Sequence, residues 1–319
     1  MVYKPNVLII SNLLDYSTDH VVYQLEKHNI AYLRLNRDQF SEYEITIDPI
    51  KNIIYGKTNE FDFKISETEL KSIYYRAPIY LRPHQRKHLS IEEKISREQW
   101  ISFLRSLMIF DNVYWINHPQ HTFLSENKPY QLKIGKNVGF NIPKTIITNK
   151  IPNAKFNNQV AIKTLEPIIF EIDKKESFIY TNILNSNDLK NYDLSNTPLI
   201  IQEALIPKID IRVTITPNTI YAVSITRNNS GIDEDWRTKK DYLEYNLIKL
   251  PEHVEKNCFR LLKKLKLEFG CIDLIKKNET YYFIEINPTG EWDWLMYNLN
   301  LNIDEDIANL LIKRGKINV

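Results

Sequence analysis

The chain has 319 residues, a length that accommodates two or three compact domains with sizeable cores. Its 43% hydrophobic and 26% charged residues are ordinary for a globular protein, and a net charge of +2 makes no electrostatic case for nucleic acid or a membrane surface. No apolar run is long enough for a membrane span and no signal-peptide pattern opens the chain, so a cytoplasmic protein is expected.

Val7-Leu-Ile-Ile10 is an apolar run suited to a buried parallel strand. Val21, Val22 and Leu25 give 18–28 a helical spacing, and 31–35 reads as a strand, so the chain opens on a strand–helix–strand unit. Strands are predicted at 44–47, 53–55, 61–65 and 72–76, then a long helix at 91–110, all within a first α/β domain placed at 1–120. Ser125 is read as the N-cap of a helix over 126–138, stopped by Gly139. Strands follow at 143–148 and 159–164. A hairpin of 168–172 and 178–183 turns at Asp173-Lys-Lys-Glu176, and a short helix covers 187–192. With a strand at 199–202 these make a central domain, 121–203. The third domain, 204–319, takes strands at 209–215 and 220–226, a polar segment at 227–241, a helix at 251–267, a strand pair at 270–276 and 280–286, and a closing helix at 304–313. The class is α/β, or α+β. Cys258 and Cys271 lie in or beside apolar stretches, without zinc or disulfide spacing, and read as core residues.

The strongest chemical signal is near the C-terminus. Asp273 sits on the apolar strand Gly270-Cys-Ile-Asp-Leu-Ile275, and Glu285 and Asn287 close the next one, Tyr282-Phe-Ile-Glu-Ile-Asn-Pro288. Alternation along a strand puts Glu285 and Asn287 on one face, and an antiparallel neighbour can bring Asp273 beside them. Three converging oxygen donors suit magnesium. The plain alternative is a set of ordinary polar positions, but two acids among isoleucine, leucine and phenylalanine are costly to bury without a cation or a hydrogen-bonding partner.

Lys128, in the first turn of a helix, and Lys163, closing Val160-Ala-Ile-Lys163, are candidates to hold phosphate as point charges. Either taken alone reads equally as a surface lysine. Leu199-Ile-Ile-Gln-Glu-Ala-Leu-Ile-Pro207 has the mixed character of a hinge. Its backbone at Gln202, Glu203, Ala204 and Leu205 can pair with an adenine edge, with Glu203 and Asp210 near base and ribose. Arg212 shares a face with Asp210 and suits anion binding, or else a plain ion pair.

The ordered set Lys128, Lys163, Gln202-Glu203, Asp210-Ile-Arg212, Asp273 and Glu285-Ile-Asn-Pro288 resembles the ATP-grasp superfamily. Asp210-Ile-Arg-Val213 resembles the branch that contains the ribosomal-protein glutamate ligase. Further motifs look like the microviridin-type macrocyclases, or graspetide synthetases: Ser17-Thr-Asp19, Tyr74-Tyr-Arg-Ala-Pro78, Asp235-Trp-Arg237 and Asn287-Pro-Thr-Gly-Glu-Trp292. The resemblance implies ATP between two small sheets, with Lys128 and Lys163 on its phosphates and Mg2+ on Asp273, Glu285 and Asn287. It implies activation of a Glu or Asp side chain of a precursor peptide as an acyl phosphate. A Thr or Ser hydroxyl, or a Lys amine, then closes an ω-ester or ω-amide ring, with Arg212 and Arg237 steadying charge. It further implies a leader peptide docked on 168–183 and Ser186-Asn-Asp-Leu-Lys-Asn191, through Asp188, Asn191 and Phe170, and a homodimer. Two other readings remain: a ligase adding glutamate or another amino acid to a protein or small molecule, and a non-catalytic nucleotide-binding regulator.

Two features depart from the pattern. Residues 164–175 contain no glycine for a phosphate-covering loop, and Ala77 stands where the macrocyclases more usually carry a second arginine, which leaves the role of Arg76 open. His118-x-x-His121 has no evident third ligand, and Arg82-Pro-His-Gln-Arg-Lys-His88 reads as a solvated basic loop. Trp292 and Trp294 fit either a substrate wall or a core.

Overall fold

The computed structural model describes residues 2–76, 90–152, 156, 158–166, 169–172, 175–178, 181–238 and 242–317, and of 169–172, 175–178 and 238 the backbone alone. Ala77, Pro78 and the basic cluster at 82–88 lie outside the described residues.

The first unit contains β1 (Val7–Ser11), α1 (Tyr16–Lys27), β2 (Tyr32–Asn36), β3 (Glu44–Asp48), β4 (Ile53–Lys57), β5 (Asp62–Ser66), β6 (Ser72–Tyr75), α2 (Ile91–Ser106) and β7 (Tyr114–Ile116). A parallel sheet in the order β2-β1-β6-β7 stands beside an antiparallel β3-β4-β5 sheet. Every residue of β1 is buried, as its unbroken apolar run requires of a central parallel strand. Asp15 caps α1 by accepting from the Thr18 amide, and Val21 and Leu25 turn inward. The predicted helix at 91–110 is α2, opened by a Ser90–Glu93 capping box, followed by a 3₁₀ turn at Leu107–Ile109.

The helix expected over 126–138 is α4 (Lys128–Val138), and a further helix that the sequence did not suggest, α3 (Pro119–Ser125), precedes it. Ser125 ends α3 instead of capping α4, and His118 and Asn127 are the caps. Pro129 supplies the reason: in a continuous helix its ring would strike the Ser125 carbonyl, four residues back. That carbonyl instead accepts from the buried Gln131 Nε2 at 2.5 Å. Gly139 stops α4 in a left-handed conformation, as predicted.

Next come β8 (Thr145–Thr148), β9 (Gln159–Lys163), β10 (Ile169–Ile172), β11 (Lys175–Phe178), β12 (Asn182–Asn185), a 3₁₀ turn at Ser186–Asn191, and β13 (Leu199–Glu203). The hairpin differs from expectation. Ile172 faces Lys175, so β11 begins inside the predicted turn, and β12 is a separate strand paired with β9. Pairing with β9 lets Leu184 pack beside Val160, Leu189 and Ile201, a gain the longer hairpin would forgo. The central sheet runs β12-β9-β13-β8.

The last stretch has β14 (Ile209–Ile215), β15 (Ile220–Arg227), β16 (Leu243–Ile248), α5 (Glu252–Leu265), β17 (Gly270–Lys277), β18 (Thr280–Asn287), α6 (Asp293–Leu299) and α7 (Ile303–Arg314). Its antiparallel sheet is ordered β16-β15-β14-β17-β18. Val254, Cys258, Leu261, Leu262 and Leu265 cover one face of that sheet from α5, and α4 packs there too. The opposite face is free of this core and carries the polar side chains described next. A second cluster joins the ends of the chain, setting Val7, Ile9, Val21 and Tyr74 against Phe269, Cys271, Trp292 and Ile307.

Candidate active site

On β14, Ile209, Ile211 and Val213 face the helices, so Asp210 and Arg212 face away from them. Cross-strand pairing sets Arg212 opposite Asp273 on β17, and Asp273 opposite Glu285 on β18. Residues paired this way share a face, so the three side chains meet.

Glu285 owes its orientation to a β-bulge. The register passes from Asp273–Glu285 to Leu274–Phe283, leaving Ile284 as the extra residue. Tyr281 and Phe283 lie in the core, and so does Ile286, so the inward phase switches from odd to even positions across the bulge. Unbroken alternation would send Glu285 into the core behind Phe283. The extra residue turns Glu285 and Asn287 to the polar face.

The carboxylates are held by cations. Arg212 donates to Asp273 Oδ1 at 2.8 Å and Arg237 to Oδ2 at 2.9 Å. Lys128, first residue of α4, donates to Glu285 Oε2 at 2.6 Å. Burial alone would raise the Glu285 carboxyl, but Lys128, Arg237 and Lys163 outweigh it and hold it well below the usual range. Lys163 donates to Gln202 Oε1 at 2.9 Å, and the buried Gln202 amide donates in turn to Thr145 Oγ1 at 2.9 Å. Burial, opposed by Glu285 and aided by Lys128 and Arg237, lowers Lys163 from 10.5 to about 8. Asp210 pairs with Lys208 and not with Arg212, and burial raises its carboxyl despite that partner.

These groups line one cavity of roughly 780 Å³. Lys128, Lys163, Gln202, Glu203, Ala204, Leu205, Asp210, Arg212, Arg237, Asp273, Glu285 and Asn287 all border it, so every nucleotide, metal and catalytic candidate is brought together. Among the described residues no three His, Cys, Asp or Glu side chains form a metal cluster. The oxygen set is two carboxylates and the Asn287 amide, whose Oδ1 accepts from the Thr289 amide at 3.1 Å. The hinge amides of Glu203 and Ala204 donate to Lys144 O and Gln159 O, at 2.8 and 3.1 Å, so neither N–H serves a base edge.

Asp188 and Asn191 are exposed on the 3₁₀ turn, away from the cavity lining, while Leu189 between them is buried. Phe170 lies on β10, and its side chain is outside the described residues. Trp294 lines the cavity, packed on Trp236 and Tyr245 at ring distances of 5.8 and 5.0 Å, whereas Trp292 is wholly buried in the core. His118 and His121 both lie on the α3 turn, His118 as its cap.

The sequence motifs mark Arg237 and Arg76 but not Asn117, and the structure supplies the partners of all three. Arg237 lies over the Trp236 ring at 5.0 Å, which fixes the guanidinium against Asp273. Arg76, buried, reaches Glu291 at 2.8 Å and Asp15 at 3.5 Å and donates to the Thr289 carbonyl, so its partners are the protein's own groups. Asn117 donates to Phe269 O and Pro288 O, both at 2.9 Å, and accepts from the amides of Glu268 and Phe269 at 2.7 and 3.1 Å. Nothing local marks Asn117, because each partner is over 150 positions away.

No protein-family model and no curated protein matches the chain. Solved structures do. A RiPP-associated ATP-grasp ligase from Chryseobacterium gregarium, in complex with ADP and a leader and core peptide, is similar with a TM-score of 0.82 at 26% identity, over 98% of this chain and 97% of that one. Macrocyclase MdnC from Microcystis aeruginosa MRC, bound with precursor peptide MdnA, gives 0.81 at 23% identity, over 96% and 99%. The ATP-grasp ligase PsnB, complexed with minimal precursor, Mg and ADP, gives 0.75 at 16% identity, over 99% of both chains. The polar sheet face, the cavity bordered by the central and C-terminal sheets and this end-to-end likeness agree: in fold the chain is an ATP-grasp protein, with the architecture of the RiPP-associated ATP-grasp ligases.

Proposed function

We propose that the chain is an ATP-dependent carboxylate ligase that activates Glu or Asp side chains of a ribosomal precursor peptide and closes ω-ester bonds to Thr or Ser, or ω-amide bonds to Lys. The observation that carries this reading is the cavity in which Lys128, Lys163, Arg212, Arg237, Asp273, Glu285 and Asn287 converge. The precursor, ADP and Mg found with the similar enzymes support it.

The donor set fits magnesium, since Asp273, Glu285 and Asn287 offer hard oxygen ligands on one sheet face. Bound there, the ion neutralises phosphate charge and orients the triphosphate. Lys128 and Lys163 hold phosphate oxygens, Lys128 exchanging Glu285 for the nucleotide. The hinge meets the base through groups other than the Glu203 and Ala204 amides, and Asp210 serves the ribose. A substrate carboxylate oxygen attacks the γ-phosphorus of ATP and expels ADP to give an acyl phosphate, and a hydroxyl or amine then displaces inorganic phosphate from it, the phosphate taking up the proton released. Arg212 and Arg237 face that centre and stabilise the transferring phosphoryl group and the acyl oxygen; positioning and charge do the catalysis. Asp188 and Asn191 project from a turn anchored by Leu189 and offer polar contacts to the leader, with Phe170 on the neighbouring hairpin. The division into 1–120, 121–203 and 204–319, a homodimer and a cytoplasmic location complete this reading.

The test is mass spectrometry of a candidate acidic precursor incubated with the enzyme, ATP and magnesium. Successive losses of water mass that require ATP are expected. Gains matching an added amino acid would instead establish the amino-acid ligase activity, and an unchanged peptide in every ATP-containing sample would defeat the macrocyclase reading.

A further inference from the structure

The outer face of α1 is aromatic where a surface helix is ordinarily polar. Tyr16, His20 and Tyr23 recur at the spacing that places them on one stripe. Tyr16 and Tyr23 are 60% and 59% exposed, while Val21 and Leu25 on the opposite side are buried. Tyr297 of α6, 71% exposed, lies across the stripe, its hydroxyl 3.2 Å from His20 Nε2. Leu13 and Leu14, also exposed, extend the patch just before the helix. Exposed aromatic side chains grouped in this way mark an interaction site, with Lys27 Nζ 5.7 Å from the centre of the Tyr23 ring at its far end.

The stripe starts at the cavity rim. Ser17, next to Tyr16, donates to Glu291 at 3.1 Å, and Glu291 lines the cavity. Asp293 also lines it and stands one helical turn before Tyr297 on α6. Two independent links therefore join the cavity wall to the aromatic face. The central sheet borders the other side of the cavity through residues of β9, β12 and β13. From Tyr16 to Tyr23 the stripe runs about 10 Å, the reach of roughly three extended residues.

Resting on the ligase reading, we propose that this stripe holds the precursor segment that continues past the reacting side chains, as an extended strand whose large apolar side chains lie on Tyr16, Tyr23 and Tyr297. Tyrosines suit the task, since each offers a wide contact face at low entropic cost. A peptide fixed on the central sheet and again on α1 spans the cavity under restraint at both ends, which presents the residues between to Arg212 and Arg237.

The experiment measures dissociation constants by fluorescence anisotropy for full-length precursor and for precursor truncated just after its last reacting residue. Wild type is compared with the Tyr16→Ser/Tyr297→Ser variant, whose changes are confined to exposed positions. Truncation is expected to weaken wild-type binding about tenfold, with the variant binding both peptides at that weaker level. Equal affinity of wild type and variant for full-length precursor would overturn the proposal. So would a variant that sediments as a smaller species than wild type, which would give the stripe to a second copy of the chain. Binding is read without turnover, so stripe-dependent affinity in a protein that leaves the peptide mass unchanged would count against the ligase reading alone.

Discussion

Lys163 is set between two demands at the scale of a single residue. Burial beside Glu285, Lys128 and Arg237 leaves its ammonium at about 8 instead of 10.5. Between those values the unfolded chain binds more protons than the folded one, so its contribution to stability rises with pH through that window. Phosphate binding runs the other way, because the charged fraction falls tenfold per pH unit above about 8. KM for ATP should therefore climb between about pH 7 and about pH 9 and stay flatter in Lys163→Arg, whose guanidinium does not titrate there; parallel profiles in steady-state assays would contradict this. Glu285 offers a second test. Glu285→Ala removes an oxygen from the proposed magnesium set and the partner of Lys128, so turnover should vanish while circular dichroism keeps the wild-type shape. Unchanged turnover would sink the metal assignment.

Elements set the angles at which such residues meet. Helix α4 brings Lys128 to Glu285 because Gly135 lets it lie close on β18, where an added Cβ would stand 2.7 Å from Phe283 Cδ1. Gln131 locks the same contact, donating to Ile286 O at 2.9 Å and accepting from the Ile286 amide at 3.0 Å. Gly135→Ala gains about 1 kcal/mol of helix propensity and loses more to overpacking, for a net destabilisation of roughly 1–2 kcal/mol in urea unfolding. The displaced α4 should also raise KM for ATP. Strands β14, β17 and β18 were legible because their alternation and apolar runs are local, and the site residues came with them. The bulge is marked by Phe283-Ile284 breaking the alternation of β18, a signal that gains its meaning only once the register with β17 is known. Strand β16 and helix α6 were not legible. In β16 the pattern is diluted because none of its residues is fully buried, and α6 is too short for its period to stand out.

Across the whole molecule the ends of the chain close on one another, and no sequence pattern encodes that closure. Arg76 and Asn117 both reach the 288–291 loop or the adjoining start of β17, yet neither stands in a local motif that names its partner. The macrocyclase-like motif around Arg76 drew attention to the right residue; its chemistry is resolved only by the contacts with Asp15, Thr289 and Glu291. Asn117 is the sharper case, because its side chain fills all four hydrogen-bonding positions at a buried site between β7 and the C-terminal sheet. Asn117→Ala strands two carbonyls and two amides in that interior at once. With a desolvation cost of about 1–3 kcal/mol per orphaned group, offset in part by water entering the gap, the loss should be roughly 3–5 kcal/mol. Asn117→Asp keeps the two accepted bonds but sets a carboxylate against Phe269 O and Pro288 O, so it should be no more stable than the alanine variant. Urea unfolding followed by tryptophan fluorescence measures both. Losses below about 1 kcal/mol in the two variants would mean that the apolar cluster around Trp292 holds the ends together without this amide.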